Sequence, residues 1–375
     1  MHVLIDAHLA VKEIDGITRY LNGLLGALPA LDAGVRYTVL TLPEAESGLP
    51  AEIFAHANVR RVEVPLRGPT PRQHLVTSRW IRQIQPDVYH HPHFDLPLGV
   101  GVPAVATVHD LKYLCHPEFF PSRGRLKSGY MKACLRHTLR AAAQVIAVSE
   151  NTRRDLQRMF HVKPGKVAVV PHGVELSPVA DGPQESAPRS LPETYVLFVG
   201  TRRPHKNLTG LIRALQLLRT QHGVAADLVV AGKPYAGYAE PEALTHQLGL
   251  DAHVHFLDFV EDAQLATLYR QARVVALPSF YEGFGFPLVE AMSCGTPVVG
   301  SSVTSIPEVV GDAGLLANPH DPADLAAKLA RILKDTKLAA QLARAGKQRA
   351  QRFTWNSVAK STLNVYNRAL QQGNK

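Results

Sequence analysis

From end to end the chain alternates short runs of apolar, β-branched residues with longer amphipathic stretches, the pattern of parallel sheets covered by helices. Strands are expected at residues 3–5, 37–40, 59–64, 88–90, 104–108, 145–148 and 167–170, with helices near 18–28, 71–83, 126–142 and 151–159. The composition then changes: SPVADGPQESAPRSLPE, within residues 174–193, is rich in Pro, Ser and acidic residues and reads as a linker or exposed crossing. A second alternation follows, with strands at 195–199, 227–231, 253–256, 274–277 and 298–299 and helices near 323–333 and 338–352. A length of 375 residues suits two such α/β domains. Ligands of open α/β sheets sit beyond the carboxyl ends of the strands, so functional residues are expected in those loops.

Several function classes are disfavoured. The longest apolar run, 96–108, falls short of a membrane span and carries two prolines. The opening MHVLIDAH enters a strand at once, without a basic-then-apolar leader, so no signal peptide is expected. Cys115, Cys134 and Cys294 are odd in number and far apart, which suits a reducing cytoplasm rather than a disulfide framework or zinc site. The net charge is +9, and residues 112–166 hold the whole excess, with twelve Lys and Arg against Glu118, Glu150 and Asp155. Aromatic interleaving there is thin and no nucleic-acid motif appears, so anionic lipid head groups are the expected partner and nucleic acid is not.

The most informative twenty residues are FYEGFGFPLVEAMSCGTPVV, 280–299. They follow the apolar run RVVALPS and place Glu282 on a Gly-aromatic-Gly-aromatic-Pro turn, with Glu290 about one turn into a helix for which Pro287 suits the first position. Free amides at such a helix N-terminus point at an anion. Carboxylates beside a phosphate would repel it unless they hold hydroxyls, so the ligand carries phosphates and sugars together.

This segment resembles the signature of the retaining, nucleotide-sugar-dependent glycosyltransferases of the GT-B fold, family 4 (group 1), most closely the bacterial mannosyl- and rhamnosyl-type enzymes. The resemblance implies two Rossmann-like domains facing across a cleft, with the final helix, 355–372, crossing back to the first. Residues 1–180 would then bind the acceptor and residues 190–353 the nucleotide-sugar donor. It implies further that Glu282 binds hydroxyls of the transferred sugar and Glu290 the ribose. Gly283, Phe284, Gly285, Phe286 and Leu288 would line the sugar and diphosphate.

Other segments fit the same picture. In GTRRPHKN, 200–207, cations precede a helix opening near Asn207, a strong diphosphate clamp because charge and dipole act together. The resemblance assigns Lys206 to the diphosphate and leaves open whether Arg202 or Arg203 joins it. TVHDL, 107–111, resembles the family's segment in which a histidine, here His109, meets the sugar near the reacting carbon; Asp110 reads equally as a cap. The resemblance implies that the turn DGITRY, 15–20, offers the Gly16 amide to the diphosphate, with Thr18 in place of a frequent glycine, and base and sugar choice is expected from the loop near Asp258 and Val260. His90, His91 and His93 tempt a metal assignment, but Pro92 holds the chain extended, so they read as histidines lining the cleft. His172 in VPHGV reads equally as hinge or ligand contact. Lys132, Arg136 and Arg140 recur every fourth residue, either a solvated helix face or a surface docking on a membrane with a lipid-linked acceptor.

The resulting expectation is a cytoplasmic enzyme, peripheral on the inner face of the membrane if that stripe docks. It would move a sugar, GDP-mannose being the favoured donor, to a hydroxyl of a glycan or glycolipid acceptor. The catalytic residues would be His109, Glu282, Lys206 and Arg202, with donor contacts from Gly16, Arg203, Val260 and the motif. No acidic metal-holding motif is visible, so neither a metal nor a cofactor is expected. No carboxylate is placed as nucleophile, and the resemblance implies front-face substitution with the leaving phosphate taking the acceptor's proton. The rival readings are a sugar-nucleotide epimerase, a phosphorylase-like enzyme, for which the chain is too short, and a non-catalytic sugar-nucleotide sensor or partner subunit.

Overall fold

Strands of a parallel sheet covered by helices are buried on both faces, and Val88–His91 and Ala104–Val108 are buried at every residue. The computed structural model describes residues 1–12, 16–65, 73–120, 124–174 and 191–373. The chain divides into two units, Met1–Gly173 with Phe353–Lys375, and Val174–Arg352. Most of the stretch expected as a linker, residues 175–190, lies outside the described residues, as do residues 71 and 72 of the helix expected at 71–83.

The first unit contains β1 (His2–Asp6), β2 (Arg36–Thr41), β3 (Val59–Glu63), β4 (Val88–His91), β5 (Ala104–Val108), β6 (Gln144–Ala147) and β7 (Val167–Val169). They form one parallel sheet in the order β3-β2-β1-β4-β5-β6-β7. The second unit repeats the winding with β8 (Tyr195–Val199), β9 (Asp227–Ala231), β10 (Val254–Leu257), β11 (Val274–Leu277), β12 (Val298–Ser301) and β13 (Leu315–Ala317), ordered β10-β9-β8-β11-β12-β13. Both are Rossmann-like, and the direction of winding reverses between β1 and β4 and between β8 and β11.

Most elements fall where the alternation places them, with ends shifted by no more than three residues. The strand β13, three residues long, is too short to announce itself. The helices Glu240–Gln247 and Asp262–Gln271 lack a strong apolar stripe, so the alternation does not mark them. Asp321 and Asp335 cap the helices Pro322–Lys334 and Thr336–Ala350, each accepting two backbone N–H bonds.

The last helix, Trp355–Gly373, belongs to the first unit and packs along Gly16–Leu31. Val358, Ala359, Thr362, Val365, Tyr366 and Ala369 are its buried stripe, at helical spacing. Gly23 is the closest approach, because a Cβ there would overlap the indole of Trp355. Gly23→Ala should therefore destabilise the first unit by about 1–3 kcal/mol in denaturant unfolding, even though alanine gains about 1 kcal/mol of helix propensity. A more stable variant would contradict this packing.

Candidate active site

In the second unit the reversal of winding brings the loops after β8 and β11 side by side. Pro204–Lys206 forms a single 3-10 turn, so the helix Leu208–Thr220 starts after Asn207. Asn207 is left-handed (φ 56°), and its side-chain oxygen caps that helix at Gly210 N–H, 3.2 Å away. Its amide nitrogen donates to the carbonyls of Pro278 (3.0 Å) and Pro319 (2.7 Å), and Phe280 N–H donates to His205 C=O at 2.9 Å. These bonds tie the two loops together. Lys206 Nζ consequently meets Glu282 Oε1 at 2.5 Å, and Ser279 Oγ donates to the same oxygen at 2.7 Å. From the loop after β12, Thr304 Oγ1 accepts Glu282 N–H at 3.3 Å, and Ser305 Oγ lies 2.9 Å from Glu282 C=O and 3.1 Å from Phe284 C=O.

Gly285 caps the helix Phe286–Cys294 with φ 106°, and a Cβ there would press on Ile306 Cδ1 at 2.6 Å. Phe286 opens this helix, so Pro287 takes the second position rather than the first. Gly283 and Phe284 are buried in the turn, and Phe284 packs edge-on against Phe286. Leu288 departs from expectation: its side chain is buried beneath the β12 backbone at Gly300, and its N–H donates to Gly285 C=O. Its side chain belongs to the core. Glu290 Oε2 accepts a hydrogen bond from the buried Tyr269 hydroxyl at 2.6 Å.

The two arginines separate clearly. Arg202 is buried, with Nη1 2.7 Å from Glu242, Nη2 2.9 Å from Asp258 and the guanidinium over the ring of Phe256. Of the two arginines left open for the diphosphate, it is the one already held by two carboxylates within the fold. Arg203 is half-buried and stacks over Tyr235. Val260, half-buried, follows Phe259, which is 66% exposed and faces Lys233.

In the first unit, the carboxyl ends of β1 and β4 hold a buried charge network. His91 lies between Asp6 (Nδ1–Oδ2 3.4 Å) and Asp95 (Nε2–Oδ1 3.1 Å). Tyr89 OH donates to Asp6 at 2.6 Å, Tyr130 OH to Asp95 at 3.2 Å, and His8 and His93 each pair with one of the two carboxylates. Burial disfavours the charge on His91, but bonds to Asp6 and Asp95 outweigh it and push its pKa up to about 9. Burial alone would raise Asp6 and Asp95, yet their histidine partners hold both well below the usual carboxylate range.

The three histidines therefore do not simply line a surface. His90 turns the other way, to Tyr366 OH (2.7 Å) and Thr107 Oγ1 (2.9 Å), and burial, then His91 and His109, lower its pKa to about 3. Pro92 does not keep His91 and His93 apart, since both reach Asp95. Donor atoms of His91, His93 and Asp95 lie within 4.8 Å of one another, a set that could hold a metal ion.

His109 follows β5. Its Nε2 lies 2.8 Å from Pro92 C=O and its Nδ1 3.2 Å from His172 Nε2, with the two rings stacked at 7° and Tyr20 edge-on to both. A carbonyl only accepts, so Nε2 of His109 carries a proton. The proton between the rings then belongs to His172 when His109 is neutral. Burial, then His109, holds the His172 pKa well below its ordinary value. Asp110 turns to Lys112 Nζ at 2.6 Å, and Gly16 heads its helix.

Residues 184–349 match the family Glycosyl transferases group 1, and residues 14–178 match Glycosyltransferase Family 4. An O-antigen chain mannosyltransferase B of Escherichia coli is 34% identical over 293 residues, covering 76% of this chain and 75% of that one. A D-inositol 3-phosphate glycosyltransferase of Saccharomonospora viridis is 30% identical over 393 residues, covering 96% and 90%. The chain belongs to the group 1, family 4 glycosyl transferases. Sucrose-phosphate synthase from Thermosynechococcus elongatus shares the GT-B fold of these transferases, with a TM-score of 0.75 at 24% identity over 98% of both chains. Group 1 glycosyl transferases use nucleotide-sugar donors.

Within this transferase, Lys206, Glu282, Gly283, Phe284, Gly285 and Phe286 gather at one strand-end crevice, and Glu290 follows along the same helix. The supports Ser279, Thr304, Ser305 and Tyr269 carry no sequence signal of their own, and Asn207 is marked there only as the residue near which a helix opens. Only Asn207 and Ser279 adjoin recognised residues.

The charge network sets a pH dependence. The raised His91 pKa contributes stability fully present below about pH 6.5, its unfolded value, and lost as pH rises through about 9. Thermal melts should show the first unit weakening from pH 6.5 to 9.5, with His91→Gln less stable at pH 6.5 and flatter above it. A wild-type profile as flat as the variant's would contradict the assignment.

Proposed function

We propose that this glycosyl transferase is a retaining, metal-independent hexosyltransferase that moves a sugar from a nucleotide-diphosphate donor to a hydroxyl of a glycan or glycolipid acceptor. GDP-mannose is the donor to try first, a choice supported by the E. coli relative's description as an O-antigen chain mannosyltransferase. The observation that carries the reading is the Lys206–Glu282 pair beside a glycine-capped helix N-terminus, at the point where the sheet reverses its winding.

Each group then has a task. The diphosphate takes Lys206 and Arg203 as cations and the first amides of Phe286–Cys294 as dipoles. Glu282, released from Lys206 by the incoming anion, accepts sugar hydroxyls, with Ser279 and the Thr304–Ser305 loop fixing its direction. Glu290 accepts the ribose. Arg202 shapes the loop containing Asp258 and Val260 rather than touching phosphate. In the first unit, Gly16 and His109 serve the donor's reacting end, and that unit takes the acceptor.

The bond from the sugar's anomeric carbon to phosphate breaks while a bond to the acceptor oxygen forms on the same face. The acceptor's proton passes to the departing phosphate oxygen. Negative charge grows on that phosphate, where Lys206 and the helix dipole stabilise it.

The helix Gly124–Ala141 exposes Lys132, Arg136 and Arg140, and on it Leu126 and Tyr130 are 81% and 41% exposed. Cations with exposed apolar groups support peripheral contact with an anionic membrane carrying the acceptor. No helix among the described residues is long and apolar enough to cross a membrane.

Lys206→Ala should lower kcat by about 10²–10³-fold, the scale for removing one preorganised charge stabiliser, in an assay of nucleotide release with donor and acceptor. A change confined to KM would refute its role on the leaving group. Turnover should survive EDTA; loss restored by Mn²⁺ would overturn metal independence and direct attention to His91, His93 and Asp95. Vesicle sedimentation should show preference for anionic lipid at low salt, about 1 kcal/mol per cation, and equal partitioning onto neutral vesicles would dismiss the docking face.

A further inference from the structure

Glu290 enters the site from a helix, on a side chain with three rotatable bonds, yet its carboxylate is not left to find its own direction. Tyr269, on the helix Asp262–Gln271, donates its hydroxyl to Oε2 at 2.6 Å. Tyr269 is 2% exposed, so its ring cannot follow a swinging carboxylate. Its backbone is fixed as well, since Thr296 Oγ1 donates to Tyr269 C=O at 2.5 Å. Thr296 begins just after Gly295, the left-handed residue that ends the helix carrying Glu290. The tyrosine and the glutamate are therefore held to each other at both ends, by a side-chain bond and by a bond to the following turn.

A buried phenol needs an acceptor, and a neighbouring backbone carbonyl would satisfy it. Here it is spent on a carboxylate of the crevice. The bond is charge-assisted and fixes the plane of the group. A vicinal diol presents two donors at fixed separation, and a carboxylate already turned towards them loses less conformational freedom on binding.

We propose that Tyr269 is a positioning residue that orients Glu290 so that Oε1 faces the vicinal hydroxyls of the donor's ribose. The inference rests on the reading of Glu290 as the ribose ligand. Tyr269 itself touches no substrate.

The test is calorimetric binding of GDP, UDP and their 2′-deoxy counterparts to the whole protein and to Tyr269→Phe, Glu290→Gln and the double variant. Phe keeps the ring and its packing, and melting without nucleotide verifies that the fold is retained. Tyr269→Phe should weaken the preferred ribonucleotide by about three- to tenfold, the loss expected for one such hydrogen bond, and shrink its advantage over the deoxy form. The kcat at saturating donor should stay within about twofold, because ribose contacts do not change as the sugar bond breaks. In the Glu290→Gln background the tyrosine substitution should add little. Wild-type affinity and wild-type ribose preference in Tyr269→Phe, with Glu290→Gln weakened, would overturn the positioning role alone. Equal losses in both backgrounds would do the same. Unchanged affinity in Glu290→Gln would overturn the ribose reading and the positioning role with it.

Discussion

A parallel sheet that winds one way from its first strand and the other way from its fourth leaves two neighbouring strand ends whose loops depart in opposite directions. Everything at the site of the second unit depends on that separation at β8 and β11. The loop after β8 delivers Lys206 and the loop after β11 delivers Glu282, and the two charges meet at 2.5 Å. Asn207 holds both loops in place by capping one helix while bonding the end of the other strand through Pro278 C=O. An ion pair with both members mostly shielded from water is costly to leave half-made. In the proposed function, a ligand opens the pair by bringing an anion for the lysine and hydroxyls for the glutamate.

The first unit uses the same topological point for different chemistry. There β1 and β4 bring Asp6 and His91 together, and Asp95 closes the set. Charge inside a core is tolerated only when paired and hydrogen-bonded, and the tyrosines Tyr89 and Tyr130 supply the remaining bonds. This network makes a firm floor from which the loop at Pro92 reaches His109. The last helix adds a second support, because Tyr366 holds His90 and Trp355 lies against Gly173, next to His172. The placing of His90 and of the turn at His172 is therefore linked to the packing of the chain's final helix.

Much of this was legible in the residues. Apolar runs mark buried strands, so the strands at Tyr195–Val199, Asp227–Ala231 and Val274–Leu277 match the expected bounds. The glycine turn with Glu282 and the helix with Glu290 are local chemistry, and the helix starts at Phe286, one position before the proline that marks it. What escaped depends on distant contacts. Arg202 finds Glu242 and Asp258, 40 and 56 residues further on, and nothing in GTRRPHKN announces either. His91 could not be read as a buried cation without knowing that β1 lies beside β4. Leu288 sits inside the motif, but a helix face decides whether a motif residue meets ligand or core. Tyr269 is 21 residues before its partner on a helix with a weak pattern.

The account turns on the crevice between the β8 and β11 loops receiving the diphosphate of a nucleotide sugar. A crystal structure with GDP or UDP bound tests this most directly. The account predicts the β-phosphate within hydrogen-bonding distance of Lys206 Nζ and of the amides opening the helix Phe286–Cys294, the ribose on Glu290, and a Lys206–Glu282 separation greater than the present 2.5 Å. A nucleotide bound elsewhere, with the Lys206–Glu282 pair intact, would contradict it.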